Sequence, residues 1–93
     1  MCNFAEVYEQ FVLEEDILSK RIYTCDEIIA TMLYLFYKNS RDLHRDTIEE
    51  VLMFIHEIKS DLQTEQLHIR IEKTLTASAL KEPVQLEQSA EAD

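Results

Sequence analysis

The chain has 93 residues, of which 46% are hydrophobic and 30% are charged, with a formal net charge of −10, no Gly and one Pro. A chain of this length forms one domain around one small core, and the lack of Gly disfavours tight hairpins and positive-φ turns, so the predicted class is all-α. The charge disfavours direct binding to nucleic acid or to a membrane surface, and it favours a protein partner with a basic or mixed surface.

The sequence carries no motif for catalysis. Without Gly, phosphate-cradling loops and dinucleotide fingerprints are excluded. His44, His56 and His68 are twelve residues apart, whereas metal ligands on one helix need spacings of three or four. No serine has a His held nearby by local spacing. We therefore expect no enzyme, no metal site and no cofactor.

The first segment reads as an amphipathic helix. Its apolar residues recur at the spacing of one helix face, and they are Phe4, Val7, Tyr8 and Phe11. Acidic residues at positions 14–16 oppose the helix dipole near its end, so we expect the helix to end or bend before Ile17. Residues 20–23 then form a short connector. The first six residues lack the basic and apolar regions of a signal peptide, which predicts a cytoplasmic protein with Cys2 and Cys25 reduced.

A second helix is predicted from the capping box of Thr24 and Glu27. Nine of the eleven residues 27–37 are apolar or aromatic. This run is shorter than the roughly 20 residues that cross a bilayer. It is therefore predicted to be the buried centre of the domain, covered on several sides by other helices.

A polar loop at residues 39–45 precedes a third helix, with Asp46 as its cap and Glu49 at the third helical position. The stripe of this helix is formed by Ile48, Val51, Leu52, Ile55 and Ile58. Ser60 or Thr64 is predicted to cap a last helix along the line of Leu67, Ile71 and Leu75. The fold prediction is thus a small bundle of three to four helices over residues 1–80.

Residues 81–93 differ in character. They contain the only Pro and four acids against one Lys, and such a segment buries too little apolar surface to offset its ordering entropy. We predict a disordered acidic C-terminal tail.

Two candidate binding surfaces follow from the pattern. The acids of the first helix are expected to meet a basic partner, and they are Glu6, Glu9, Glu14, Glu15 and Asp16. Apolar residues that a small monomer cannot cover are the usual mark of a partner surface. The candidates for self-association in a homodimer are Phe54, Ile58, Ile69 and Leu75.

A resemblance runs from about residue 13 to residue 75. It is carried by Leu13-Glu14-Glu15, by Ile28-Ile29, by Asp42-Leu43 after a polar loop, by Ile48, Leu52 and Ile55-His56, and by Ile71-Glu72-Lys73-Thr74-Leu75. This pattern resembles the small enterobacterial YmgB/AriR-type proteins. The resemblance implies a short helical dimer that acts as a connector to two-component phosphorelays, affecting biofilm formation and the response to acid stress. It implies no catalytic residue.

The predicted function is that of a small acidic regulatory protein, a connector or adaptor that binds a signalling or transcription regulator. An alternative remains open: a phage- or plasmid-type inhibitor whose acids mimic DNA phosphates and block a nucleic-acid-binding protein. The alternative requires acids along one continuous face.

Overall fold

The computed structural model describes residues 4–80, which form two helices: α1, Phe4–Lys38, and α2, Arg45–Ala79. Each helix has 35 residues, a length of about 52 Å. Residues 39–44 connect them. The all-α class is confirmed, whereas the prediction of three to four helices is wrong. The predicted tail, the boundary at residue 81 and Cys2 lie outside the described residues.

The two predicted breaks fail for the same reason. The Thr24 hydroxyl donates to the carbonyl of Lys20 at 2.8 Å, and the Thr64 hydroxyl donates to the carbonyl of Ser60 at 3.1 Å. Both threonines therefore bond back into the preceding turn of a continuous helix instead of capping a new one. Because residues 4–80 contain no Gly or Pro, nothing in the backbone forces an interruption.

The predicted polar loop is confirmed. The Asn39 carbonyl accepts hydrogen bonds from the backbone N–H groups of Asp42 and Leu43, at 3.0 and 3.1 Å. The N-cap of α2 is His44, whose Nδ1 accepts from the Thr47 N–H at 3.2 Å. Asp46, the predicted cap, lies in the first turn of α2, where its charge suits the positive end of the helix dipole.

The two helices meet along a coiled-coil seam. On α1, eight of the buried and half-buried residues step by four and three in alternation: Phe11, Glu15, Leu18, Ile22, Cys25, Ile29, Met32 and Phe36. On α2 the same steps give Ile48, Leu52, Ile55, Lys59, Leu62, Gln66, Ile69, Lys73 and Thr76. This 3.5-residue repeat is the pattern of knobs-into-holes packing. The chain is therefore an antiparallel coiled-coil hairpin.

The core of the hairpin is small. Among the described residues, the buried ones are Leu18, Cys25 and Leu62, with Ile22, Ile55 and Ile69 packed against them. The prediction that residues 27–37 form a buried centre is wrong, because a helix with one neighbour is covered along one stripe only. Five large side chains of that run are 42–82% exposed: Ile28, Leu33, Tyr34, Leu35 and Tyr37. Neither described helix combines the length and apolar character needed to cross a membrane.

Candidate protein-binding surfaces

The end of the hairpin far from the loop is joined by a charged cluster. The Glu15 carboxylate accepts from Arg70 Nε at 2.8 Å and from Lys73 Nζ at 2.5 Å. Its side chain is only 18% exposed. These hydrogen bonds, from Lys73 first and then from Arg70, lower the pKa of Glu15. Glu15, predicted to bind a partner, is thus already engaged within the chain.

Two further polar contacts fix the alignment of the helices. Gln66 Nε2 donates to Ser19 Oγ at 2.8 Å, and Lys59 Nζ lies 2.5 Å from Asp26 Oδ1. In both pairs, and in the pair of Glu15 and Arg70, the two residue numbers add up to 85. The helices therefore keep one register from the open end to the middle of the hairpin. In this register, a residue of α1 and a residue of α2 lie at the same height along the hairpin, or level with each other, when their numbers add up to 85.

The other predicted acids do not share a face. Glu9 and Asp16 are seven residues apart and lie on one side of α1, with Asp16 3.4 Å from Lys20. Glu14 is half-buried beside the groove between the helices. Glu6 is exposed. These five acids therefore do not form the one continuous face that a DNA mimic requires.

One side of the hairpin carries a groove between the helices, which we call the groove face. It is lined by Arg21 of α1 and by Ile58, Asp61 and Glu65 of α2, and it continues past Glu14, Ile17 and His68. Residues seven positions apart stay on the same side of a coiled-coil helix. The groove face therefore extends toward the loop through Ile28 and Leu35 on α1, and through Val51 and Phe54 on α2.

The half of the groove face nearest the loop is apolar and exposed. We call its five large side chains the apolar patch: Ile28, Leu35, Val51, Phe54 and Ile58. Phe54 is 62% exposed and Ile58 is 39% exposed. Two predicted self-association residues thus lie in the patch. Ile69 instead packs in the seam, and Leu75 lies exposed near the far end of α2, beside Leu67 and Ile71.

A shallow hollow of about 320 Å³ adjoins the patch on α1. Ile28, Thr24 and Thr31 line it, and Tyr23 and Glu27 form its outer wall. The Tyr23 hydroxyl donates to Glu27 Oε1 at 2.6 Å, and this hydrogen bond raises the pKa of Tyr23. The small threonines make the hollow wide enough to admit an apolar side chain from outside.

The opposite side of the hairpin, which we call the rear face, has a smaller hollow near the loop. It is lined by Leu33, Phe36, Arg45, Ile48, Glu49, Leu52 and Met53. Met53 is 57% exposed there. Further along the same face, Asp26 and Lys59 are already paired within the chain. Met53 and Phe54 are thus sequence neighbours of similar exposure on opposite faces.

Among the described residues no group of His, Cys, Asp and Glu side chains is arranged to hold a metal ion. The seam was the feature that sequence reasoning missed. Its signal was present as a 3.5-residue repeat, but charged and polar residues occupy five of its positions: Glu15, Lys59, Gln66, Lys73 and Thr76.

No protein-family model matches the chain, no curated protein is significantly similar to it, and no solved structure matches it significantly. The YmgB/AriR resemblance stays a prediction.

Proposed function

We propose that this chain is a small acidic regulatory protein that acts by binding other proteins, as a connector or adaptor for a signalling or transcription regulator, without catalysing a reaction. The supporting observation is that far more large hydrophobic side chains are exposed to solvent than are buried. Eighteen large hydrophobic side chains are exposed, while only three of the described residues are buried. Exposed apolar patches of this kind mark interaction sites.

The open end of the hairpin supplies a second surface of different chemistry. Glu6 and Glu9 are exposed there, on a chain of net charge −10. A basic or mixed partner surface would be attracted to them, and such complementarity raises the association rate and selectivity more than the affinity. The proposed site of action is the cytoplasm.

The experiment is a comparison of matched baits. Full-length chain carrying a tag is exposed to a lysate of its source, together with Phe54→Ser as the patch variant and Met53→Ser as the control on the rear face. We expect a stoichiometric set of proteins that the wild type and Met53→Ser retain and that Phe54→Ser loses at least tenfold. Equal retention by all three baits, from a wild type that is also monomeric, contradicts the proposal.

A second pair of baits tests the acidic end. Glu6→Gln with Glu9→Gln should slow partner association and weaken its salt dependence, because two of the steering charges are gone. A matched change at Glu50 and Glu57, exposed acids on α2, should leave this surface intact. Identical association rates for both double variants would show that the acids of α1 have no special role.

A further inference from the structure

We infer that the groove face binds the groove face of a second copy of this chain, about a two-fold axis parallel to the hairpin, so that both loops lie at the same end. The inference deepens the proposed function and rests on it, because it names the partner of one protein-binding surface. In this arrangement α1 of each copy lies over α2 of the other.

With such an axis, the apolar patch residues of one copy lie at the same height as those of the other copy. A rotation parallel to the hairpin keeps each residue at its level along the helices, and residue numbers that add up to 85 are level. Leu35 therefore meets Val51 of the second copy, and Ile28 meets Ile58 of the second copy, each within one residue, or about 1.5 Å. Thr31 lies level with Phe54 of the second copy. The bulkiest side chain of the patch thus faces the hollow that Thr24, Ile28 and Thr31 line.

One charged residue beyond the patch, Arg21, also meets opposite charges. Arg21 lies level with residue 64, beside Glu65 and one turn from Asp61 of the second copy. None of these three side chains forms an ion pair within the described chain. On the rear face, by contrast, Asp26 is already paired with Lys59. Arg21 therefore has carboxylates of a second copy within reach, whereas Glu14 on the same face lies level with residue 71, beside Glu72 of the second copy. The complementary charges are thus confined to the middle of the groove face.

The opposite orientation fits less well. If the loops lay at opposite ends with the patches in contact, α2 would lie over α2 and Phe54 would meet Phe54. Arg21 would then lie beside the other copy's loop, away from Glu65. Sliding the copies to a full overlap would place the apolar patch on the charged half of the groove face. Only the orientation with both loops together brings the patches into contact and places Arg21 beside Glu65 at the same time.

The available area is sufficient for a stable dimer. The five side chains of the patch are 38–62% exposed, and a contiguous exposed apolar patch of a few hundred Å² is the size that marks an interaction site. The whole groove face is about 50 Å long and about 20 Å wide, the span of two helices side by side. Covering most of it buries about 800 Å² on each copy, the standard value for a specific interface.

The test is the solution mass of the full chain across a range of concentrations, by light scattering or sedimentation. We expect twice the chain mass of 11.0 kDa for the wild type and for Met53→Ser. Phe54→Ser should raise the dissociation constant at least tenfold with unchanged helicity at concentrations where it is dimeric. A wild type that is monomeric at every concentration overturns the inference, as does a Met53→Ser variant that dissociates while Phe54→Ser stays dimeric.

Charge exchange tests the orientation and does not depend on the apolar core. Arg21→Glu alone and Glu65→Arg alone should each weaken dimerisation several-fold, and the double variant should restore it. Because Arg21 and Glu65 also line one groove within a chain, the control is the helicity and thermal unfolding of each monomer, which should be unchanged. If dimerisation is insensitive to all three changes, the arrangement with both loops at the same end is contradicted.

The inference and the proposed function fail separately. A monomeric wild type whose captured proteins are lost in Phe54→Ser overturns the second copy as occupant and leaves the protein-binding function in place. A patch-dependent dimer that captures no other protein supports the inference and contradicts the connector role.

Discussion

The two halves of the hairpin are held together by different chemistry. In the open half the helices are joined by the Glu15 cluster and by the hydrogen bond between Ser19 and Gln66. In the loop half the seam is apolar, and most of the large exposed side chains of the groove face lie there. The open half therefore specifies the register of the two helices. The loop half instead exposes apolar side chains that are available to bind another protein surface.

Charged residues in a coiled-coil seam cost stability but fix alignment. A shift of one helix by a single turn would break at least one of the two hydrogen bonds that the half-buried Glu15 carboxylate accepts from Arg70 and Lys73. Beyond the pair of Asp26 and Lys59, the loop half has no such restraint, because apolar side chains tolerate several alignments. The open half therefore determines which residues of α1 and α2 share a level on the groove face.

The largest expected effect is in the buried cluster between the two halves. Leu62→Ala removes a buried side chain and should lower the free energy of unfolding by about 2–5 kcal/mol. In a hairpin with three buried residues this loss is enough to unfold a large fraction of the chain. Urea unfolding followed by circular dichroism measures it. The control is Leu67→Ala, at an exposed residue five positions further along α2. An equal loss of stability in both variants would show that Leu62 is not part of the core.

An intermediate effect is expected in the open half. Glu15→Gln keeps the shape of the side chain and removes its charge, so it should cost about 1 kcal/mol as two charge-assisted hydrogen bonds weaken at a partly solvated site. Thermal unfolding at neutral pH measures the loss. Asp16→Asn, which likewise keeps the shape of the side chain and whose partner Lys20 is exposed, should cost less, and the reverse order would contradict the role given to Glu15.

The stability difference between the wild type and Glu15→Gln is expected to depend on pH. The pKa of Glu15 is lowered in the folded state, so its contribution to stability is present above the unfolded pKa, about 4.5, and is lost as the pH falls through the lower folded value. The difference in melting temperature between wild type and Glu15→Gln should therefore shrink in acid. A difference that grows below pH 4 would show that the cluster does not act through the Glu15 charge.

The smallest expected effect is that of Thr24→Ala on the free energy of unfolding, which distinguishes one continuous α1 from two shorter helices. If Thr24 were an N-cap, Thr24→Ala would cost about 1 kcal/mol. Inside a continuous helix the same change should be neutral or stabilising by up to about 0.5 kcal/mol, because Ala has the higher helix propensity. Thermal unfolding of the variant decides between the two outcomes. A clear loss of stability would restore the predicted break at residues 20–24.

Much of the local structure could be predicted from the sequence. The all-α class, the polar loop and the start of the helix after it follow from composition and from cap and loop residues near Asn39 and Asp46. Local signals failed where they were ambiguous: a threonine followed by Glu27 suits a cap, yet its hydroxyl serves equally well inside a helix. That choice depends on packing against the partner helix 30 to 60 residues away along the chain.

The candidate surfaces were predictable only in part. Exposure of Phe54 and Ile58 was expected because the chain has more apolar residues than one small core holds. Ile69 and Glu15 were misplaced on outer surfaces, since their positions depend on a seam repeat that polar residues interrupt. Glu15 in particular looks solvent-exposed beside Glu14 and Asp16, and only the cations of α2 explain its position.

The most direct test of the account compares the two faces in the same sample. Methyl signals of Ile58 and Met53 are recorded with a soluble paramagnetic agent while the concentration of the full chain is raised. If the groove faces of two copies pair, Ile58 loses its relaxation enhancement as the second copy covers it, while Met53 on the rear face keeps its own. Equal behaviour of the two methyl groups, or protection of Met53 alone, would show that the groove face is not the interface.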